Sequence, residues 1–384
     1  MALSLSSMSF TSFFVFYIIQ QLCGGSLYAN GCYTSIINFG DSVSDTGNIK
    51  ELASISDVTL PVLQPPYGET FFHQPTGRCS NGRLIIDFLA ESLGLPFLPP
   101  FLHDKETNNT EYMGQGVNYA VGAATALDTS YFIERGISTP ILSTDLGLQL
   151  AWFKQSLSSI CSNISDCRNL VGRSLIMMGE IGGGDYNNIV MDARPIKEIE
   201  SSIPLVIDSI ISAVIELIDL GAQTLVVPGI FPLGCSSSFL SLRGSENEEY
   251  DNTTGCLVRF NKIVEYHNQL LQTKLNHLQE LHPNVIIIYA DYYNAAMQIF
   301  RSPYKFGFTD GALKACCGSG GLYNYNKSEP CGSTFATVCD DPNMYVDWDG
   351  LHYTERAYRI IFKSLFQGPY TTPQFSSLCP VSTS

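Results

Sequence analysis

The chain has 384 residues, of which 45% are hydrophobic, enough to form a large core. Its formal net charge is −15 at pH 7, and its isoelectric point is near 4.7. Nucleic acid and anionic membrane surfaces repel such a chain, so neither is predicted as a partner, and the charge suits a soluble protein of an acidic compartment.

An apolar run from Phe10 to Leu22 lies near the start of the chain and is followed by small and polar residues up to Asn30. The run is shorter than the roughly 20 residues that cross a bilayer. It therefore favours a cleaved secretory signal over a membrane anchor, although no lysine or arginine precedes Lys50. We predict a signal peptide at residues 1–29 and a single domain at residues 30–384, because no linker or repeat divides the remainder.

Short apolar runs alternate along the chain with longer segments of helical periodicity. The predicted strands are Ile36–Phe39, Gly116–Val121, Ser174–Met178, Thr224–Val227 and Val285–Ala290. The predicted helices are Leu84–Leu93, Ser143–Ile160, Ile196–Leu220 and Leu257–Leu281. This alternation predicts an α/β fold with three α/β/α layers and a central, mostly parallel sheet.

The first predicted strand ends in Gly40-Asp41-Ser42, a sequence typical of a tight turn. Ser42 would then lie just beyond the carboxyl edge of the sheet, where open α/β folds bind ligands, so it is a candidate nucleophile. A lone motif of this kind is more often a polar loop that caps a helix. Asp45 and Asn48 are predicted to cap the following turn, and Asp185 to tie down the glycine run before it.

A second polar motif lies near the end of the chain, where Asp349 and His352 are separated by two residues. This spacing can place a carboxylate beside an imidazole within one turn. A serine nucleophile needs a base of this kind, and the base needs a third group to orient it. Alone, the motif is weak.

Together these motifs resemble the plant GDSL esterase/lipase family of the SGNH hydrolases, in the branch that contains sinapine esterase and acetylajmalan esterase. The resemblance runs from about Ser35 to about Ser364 and rests on Phe39–Asn48, Gly116–Ala124, Gly179–Tyr186, Asp349–His352, Pro66–Phe71, Gly77–Arg83 and Tyr289–Asn294. It implies a flavodoxin-like SGNH fold with Ser42 as nucleophile, His352 as base and Asp349 as its orienter. It also implies oxyanion donors at Ser42 and Gly122, with a third donor normally supplied by an asparagine.

The chain departs from the family where that asparagine is expected, because Gly184 occupies the position. Loss of one oxyanion donor typically costs about 2.7–4 kcal/mol of transition-state stabilisation. Three outcomes are open: a slow enzyme with Gly184 as a reduced donor, replacement by Asn187 or Asn188, or another task for the fold. We expect Gly184→Asn to raise turnover of a simple ester.

The cysteines and glycosylation sequons agree with passage through the secretory pathway. Twelve cysteines are present, and loss of Cys23 with the signal leaves an odd number, which implies a free thiol or an external partner. Cys161 with Cys167, and the group Cys316, Cys317, Cys331 and Cys339, are predicted to form disulfides rather than a zinc site. Predicted glycosylation sites are Asn108, Asn163, Asn252 and Asn326.

The predicted function is a secreted serine esterase of the apoplast or vacuole that hydrolyses acyl esters of plant specialised metabolites, phenolic or alkaloid esters. We predict a monomer with a small-molecule substrate, no metal and no cofactor. An acyltransferase that passes the acyl group to an alcohol, and a non-hydrolytic or binding member of the family, remain open. The aromatic residues from Tyr67 to Phe72 either line a substrate pocket or pack a loop, whereas His267 and His277 are assigned to a solvated helix face.

Overall fold

A computed structural model describes residues 32–103 and 114–379. The predicted signal peptide, Cys23 and the sequon at Asn108 lie outside these described residues. The other three sequon asparagines, Asn163, Asn252 and Asn326, are exposed, so their glycosylation stays a prediction that the surface permits.

Eight strands are described. In chain order they are β1 Ser35–Asn38, β2 Gly116–Asn118, β3 Ser174–Met177, β4 Thr224–Pro228, β5 Ile286–Ala290, β6 Cys317–Gly318, β7 Thr337–Val338 and β8 Thr371–Thr372. Six of them form the central sheet in the order β2-β1-β3-β4-β5-β8. The first five are parallel, and β8 pairs antiparallel with β5 at one edge.

Twelve α-helices are described. In chain order they are α1 Asn48–Ile55, α2 Ile85–Ser92, α3 Thr129–Glu134, α4 Leu146–Ile160, α5 Ile164–Gly172, α6 Gly183–Met191, α7 Ile196–Asp219, α8 Ser237–Arg243, α9 Val258–Leu281, α10 Tyr292–Arg301, α11 Glu355–Phe362 and α12 Phe375–Leu378. Helix α7 packs against α4, α6 and α9, and α2 packs against α11. The predicted three-layer α/β/α architecture with a mostly parallel sheet is confirmed.

The sheet lies in the main core of the protein. Strands β1 and β3 are buried at every position, as expected for parallel strands covered on both faces. Helix α7 buries apolar residues at helical spacing, among them Ile203, Ile207, Ile210, Val214 and Leu217. This helix is long and apolar enough to span a membrane by composition, but this buried face makes it a core helix of the fold.

The predicted strands and long helices are found within a few residues of their expected bounds. The predicted strand Gly116–Val121 is shorter, because the chain leaves the ladder after Asn118 and the Val121 N–H donates to the Gly40 carbonyl instead. The glycine run before Asp185 is partly helical, because α6 already begins at Gly183. Strands β6, β7 and β8 and helices α3, α5, α8, α10, α11 and α12 were not predicted.

Five disulfides link the described cysteines. They are Cys32–Cys379, Cys161–Cys167, Cys235–Cys256, Cys316–Cys339 and Cys317–Cys331. Among the described residues Cys79 is the free cysteine, and it is buried. The predicted disulfides are therefore confirmed, and of the two predicted outcomes for the odd cysteine, a free thiol or an external partner, the described chain shows a free thiol at Cys79.

Candidate active site

Ser42 lies in a tight turn that follows β1. The turn requires glycine at position 40, whose φ is 127° and where a Cβ atom would lie 2.6 Å from Ser44 Oγ. The Asp41 N–H donates to the Glu180 carbonyl at 2.9 Å, which fixes the turn against the segment after β3. Ser42 itself is half-buried and stands at the carboxyl edge of the sheet, as predicted.

His352 lies between Ser42 and Asp349. Its Nε2 is 2.8 Å from Ser42 Oγ, and its Nδ1 is 2.8 Å from Asp349 Oδ2. Because an ionised carboxylate only accepts hydrogen bonds, Nδ1 carries the proton and donates to Asp349. Nε2 is then free to accept from the Ser42 hydroxyl, which is the arrangement needed to activate a serine nucleophile.

The turn that carries Asp349 and His352 is held from both sides. Asp347 accepts hydrogen bonds from the Gly350 N–H at 2.6 Å and from the Ser237 hydroxyl at 2.7 Å. The Trp348 N–H donates to the His352 carbonyl at 2.7 Å. These bonds close the chain on itself, so that two residues three positions apart bring their side chains together.

The two ionisable members of this group influence each other's pKa. Burial alone raises the pKa of Asp349, but the neighbouring His352 outweighs it and the pKa lies below its usual range. Burial alone lowers the pKa of His352, and the Asp349 carboxylate outweighs it, so this pKa lies well above 6.5. Both shifts favour the charged pair, which is the form that develops when the imidazole takes a proton.

The Gly122 N–H, which was predicted to help bind an oxyanion, already donates a hydrogen bond within the protein. It donates to Asp45 Oδ2 at 2.7 Å, so it does not face a substrate. The next residue, Ala123, is half-buried with φ at 66°, and its N–H has no hydrogen-bond partner among the described residues. The Ser42 N–H is also without a partner in the described chain. The geometry therefore corrects Gly122 to Ala123 as the candidate donor.

Gly184 is the second residue of α6, so its N–H is one of the unpaired amides at the amino end of that helix. A Cβ atom at this position would lie 2.3 Å from the Ala124 carbonyl oxygen. An asparagine side chain cannot enter without moving the 122–125 loop, which argues against the expectation that Gly184→Asn raises turnover; the turnover of this variant would decide it. Further along α6, Asn187 Oδ1 and Asn188 Nδ2 are buried without hydrogen-bond partners in the described chain.

Two buried carboxyl groups adjoin the turn that carries Ser42. Asp41 and Glu180 are nearly inaccessible and share a hydrogen bond between their side chains. Burial raises the pKa of Asp41 to about 6, and burial together with Asp41 raises that of Glu180 well above its usual range. Glu180 also accepts the Gly183 N–H at 3.1 Å, so the pair joins the Ser42 turn to the start of α6.

Several polar residues near the site have structural roles. Asp45 accepts N–H groups from Gly47, Asn48 and Ile49, which caps the start of α1 as predicted. Asp185 accepts N–H groups at 2.8 and 3.0 Å from residues 126 and 127, and so ties α6 to the loop after β2.

His267 was expected on a solvated helix face, and the structure contradicts this. It is fully buried in α9, and its Nδ1 is 2.7 Å from the Tyr186 hydroxyl. Burial lowers its pKa to about 3, so it is neutral. His277, ten residues further along, is exposed as predicted.

The aromatic segment from Tyr67 to Phe72 mainly packs a loop. Phe71 and Phe72 contact each other and Phe97, and the Arg78 guanidinium lies 4.4 Å from the Phe72 ring centroid. Tyr67 differs, because it is buried and its hydroxyl donates to Asp349 Oδ2 at 2.7 Å. Sequence reasoning did not separate Tyr67 from its neighbours, since only the fold brings it to Asp349.

The cysteines next to the site are not metal ligands. The four clustered cysteines 316, 317, 331 and 339 are consumed by two disulfides. In the described part of the chain no group of three or more His, Cys, Asp or Glu side chains could hold a metal ion. Cys79 adjoins His352, and burial raises the pKa of its thiol.

Comparisons with known proteins show which family the chain resembles. A family profile described as GDSL-like Lipase/Acylhydrolase matches residues 36–365. Two GDSL esterase/lipases of Arabidopsis thaliana are each 51% identical over 90% of this chain, covering 85% and 88% of their own lengths. The sinapine esterase of Brassica napus is 45% identical over 96% of this chain and 94% of its own length.

Proposed function

Since the chain belongs to the GDSL-like lipase/acylhydrolase family, whose relatives are named esterases and lipases, we propose that it hydrolyses small acyl esters through a Ser42, His352 and Asp349 triad. The observation that carries the proposal is the pair of 2.8 Å contacts of His352, one to Ser42 Oγ and one to Asp349 Oδ2. A carboxylic ester hydrolase is the activity that the family membership supports.

In the first step Ser42 Oγ attacks the carbonyl carbon of the ester. His352 Nε2 takes the hydroxyl proton, and the Asp349 carboxylate stabilises the imidazolium that forms. The imidazolium then gives its proton to the leaving alcohol as the carbon–oxygen bond to that alcohol breaks. In the second step water attacks the carbonyl carbon of the acyl-enzyme and His352 takes a proton from that water. The bond between the acyl carbon and Ser42 Oγ then breaks, His352 returns the proton to Oγ, and the carboxylic acid is released.

The tetrahedral oxyanion is assigned to backbone amides. The Ser42 and Ala123 N–H groups are the first donors, because both lack partners among residues 32–103 and 114–379 and both residues are half-buried at the sheet edge. The amino end of α6, where the Gly184 N–H lies, adds the favourable end of a helix dipole. The Gly184 N–H is thus a reduced third donor, because the side-chain amide that the family supplies at this position is absent.

The substrate class is inferred as esters of plant specialised metabolites, phenolic or alkaloid esters. A relative named sinapine esterase, matched over nearly the whole chain, supports a phenolic ester. Five disulfides and exposed sequons support a secreted protein, in the apoplast or the vacuole. We further propose that the enzyme acts as a monomer without metal or cofactor.

The test is hydrolysis of p-nitrophenyl acetate and of sinapine by the purified protein beside its Ser42→Ala variant. Serine-dependent release of product from either ester supports the proposal, and equal rates for the two proteins overturn it. The same reaction run with an added alcohol separates the alternative, because an acyltransferase would form a new ester with that alcohol.

A further inference from the structure

Asp349 receives a hydrogen bond that the triad does not require. Its Oδ2 accepts from the Tyr67 hydroxyl at 2.7 Å as well as from His352 Nδ1. Its Oδ1 accepts the backbone N–H groups of Leu351 at 3.0 Å and His352 at 2.9 Å. Apart from His352, Tyr67 is the side chain that donates to this carboxylate among the described residues. Asp349 is therefore fixed from two sides, by its own turn and by Tyr67.

Tyr67 is itself held by a small core separate from the main one. Only 5% of the residue is exposed, and its ring meets the Trp348 ring edge to face with centroids 5.9 Å apart. The other buried members of this core, which we call the disulfide core, are Cys316, Cys317 and Cys331. The phenol is thus presented to Asp349 by a buried cluster of side chains.

The disulfide core joins the two loops that carry Tyr67 and Asp349. The Cys317 N–H donates to the Trp348 carbonyl at 2.7 Å, which binds the cysteine segment to the residue just before Asp349. On the other side, a Cβ atom at Gly332 would lie 2.2 Å from the Pro61 carbonyl oxygen, so this segment also abuts the loop that leads to Tyr67. The disulfide Cys317–Cys331 spans these two contacts.

We propose that Tyr67 is a positioning residue for Asp349, and that the Cys317–Cys331 disulfide keeps the Tyr67 hydroxyl on the carboxylate. This inference rests on the proposed function, in which Asp349 orients His352. A fixed Asp349 holds the imidazole in the tautomer and orientation that accept the Ser42 proton. The phenol also withdraws part of the carboxylate charge, which tunes how strongly His352 holds its proton.

The first test compares Tyr67→Phe, which keeps the ring and removes the hydroxyl, with the wild type. We expect kcat for p-nitrophenyl acetate to fall about 10-fold with KM nearly unchanged, because a hydrogen bond to a charged group is lost outside the substrate site. The acid limb of the pH profile should move to higher pH, since Asp349 then presents more charge to His352. Tyr345→Phe is the matched control, because Tyr345 packs on the same disulfide core without contacting Asp349.

The shift of the acid limb in Tyr67→Phe distinguishes a positioning role of the Tyr67 hydroxyl from a role in packing alone. The other titratable groups that face the Asp349 and His352 pair are unchanged by the substitution; they are Asp41, Cys79, Asp347, Tyr325 and Tyr358. A lower melting temperature with an unmoved pH profile, or an unchanged kcat, would overturn the role assigned to Tyr67.

The second test is a double-mutant cycle between Tyr67→Phe and the paired change Cys317→Ala with Cys331→Ala. If the disulfide acts through Tyr67, the triple variant should lose no more kcat than whichever parent variant, Tyr67→Phe or the double cysteine variant, loses more. Additive losses of transition-state free energy in the triple variant would refute that link.

A readout independent of activity is the proton resonance of His352 Nδ1–H. It should shift in Tyr67→Phe and stay in place in Tyr345→Phe. This shift tests the inference even if Ser42→Ala leaves ester hydrolysis unchanged, in which case only the proposed function fails.

Discussion

Ser42 Oγ and His352 Nε2 lie 2.8 Å apart although 310 positions separate the two residues in the chain. The contact links the turn after the first strand of the sheet to a turn near the end of the domain. Because a hydroxyl transfers its proton only to a neutral imidazole, the protonation of His352 decides whether Ser42 can react.

The pH dependence of hydrolysis should follow His352. Its pKa lies well above 6.5, because the Asp349 carboxylate outweighs the effect of burial. The base works only when unprotonated, so we expect kcat/KM to fall as the pH is lowered through this pKa, with an acid limb above pH 6.5. The pH profile of kcat/KM on p-nitrophenyl acetate measures this acid limb. Full activity retained well below the ordinary histidine pKa would contradict the role of His352 as the base.

Asp349→Asn should lower kcat by roughly a thousand- to ten-thousand-fold, because an amide stabilises the wrong imidazole tautomer and no longer balances the imidazolium. Steady-state kinetics on p-nitrophenyl acetate give the ratio. Asp57→Asn is the matched control, since Asp57 is exposed with φ at 52°, which asparagine tolerates. A loss of less than about tenfold would show that Asp349 does not orient the base.

Gly184→Ala and Gly184→Asn should both lower the melting temperature, because each Cβ meets the Ala124 carbonyl oxygen. Turnover should not exceed that of the wild type, since the displaced loop also carries the Ala123 amide. Thermal unfolding and esterase kinetics are measured together. If the asparagine variant alone were faster than wild type, the loop would have moved aside and the side-chain amide would reach the oxyanion.

The buried pair of Asp41 and Glu180 should make the folded protein less stable at high pH. Both pKa values are higher in the folded chain than in an unfolded one. The stability they contribute is therefore present at low pH and is lost as the pH rises through the folded-state values. We expect the melting temperature to fall as the pH rises through about 6, the folded-state pKa of Asp41, and to fall further as Glu180 ionises at higher pH.

Glu180→Gln should flatten this slope, because glutamine can still accept the Gly183 N–H but does not ionise. Glu134→Gln is the control, since the Glu134 side chain is 74% exposed. An identical slope in Glu180→Gln and wild type would exclude the pair as its cause.

The Cys32–Cys379 disulfide should stabilise the fold without affecting chemistry. It joins residues 347 positions apart, so it removes more entropy from the unfolded chain than Cys161–Cys167, which spans 6. Changing both cysteines to alanine should cost about 2–5 kcal/mol in the free energy of unfolding. Because Cys32 precedes the amino end of β1, away from Ser42, kcat should be unchanged. The same double alanine change at Cys161 and Cys167 is the comparison, and denaturant titration gives the loss in free energy of unfolding for each variant. A larger loss on removing Cys161–Cys167 would contradict the entropic account.

The sequence alone determined the layered α/β architecture, because alternation of short apolar runs with helical periodicity is a local property of the chain. It also predicted that Asp349 and His352 can lie side by side, since two residues three positions apart in a tight turn have little freedom, and the structure brings them together. The sequence also placed Ser42 at the carboxyl edge of the sheet, because Gly40 ends the first strand in a tight turn.

Only the tertiary structure decided which of two consecutive amides is free, because the N–H of Gly122 is taken by Asp45, a residue 77 positions away. It also buried His267 against Tyr186 and brought Tyr67 to Asp349 across 282 positions. Periodicity fixes the local conformation and the buried face of each element. The partners of polar groups depend instead on the paths of the loops, and those paths are set by packing and disulfides that no single segment encodes.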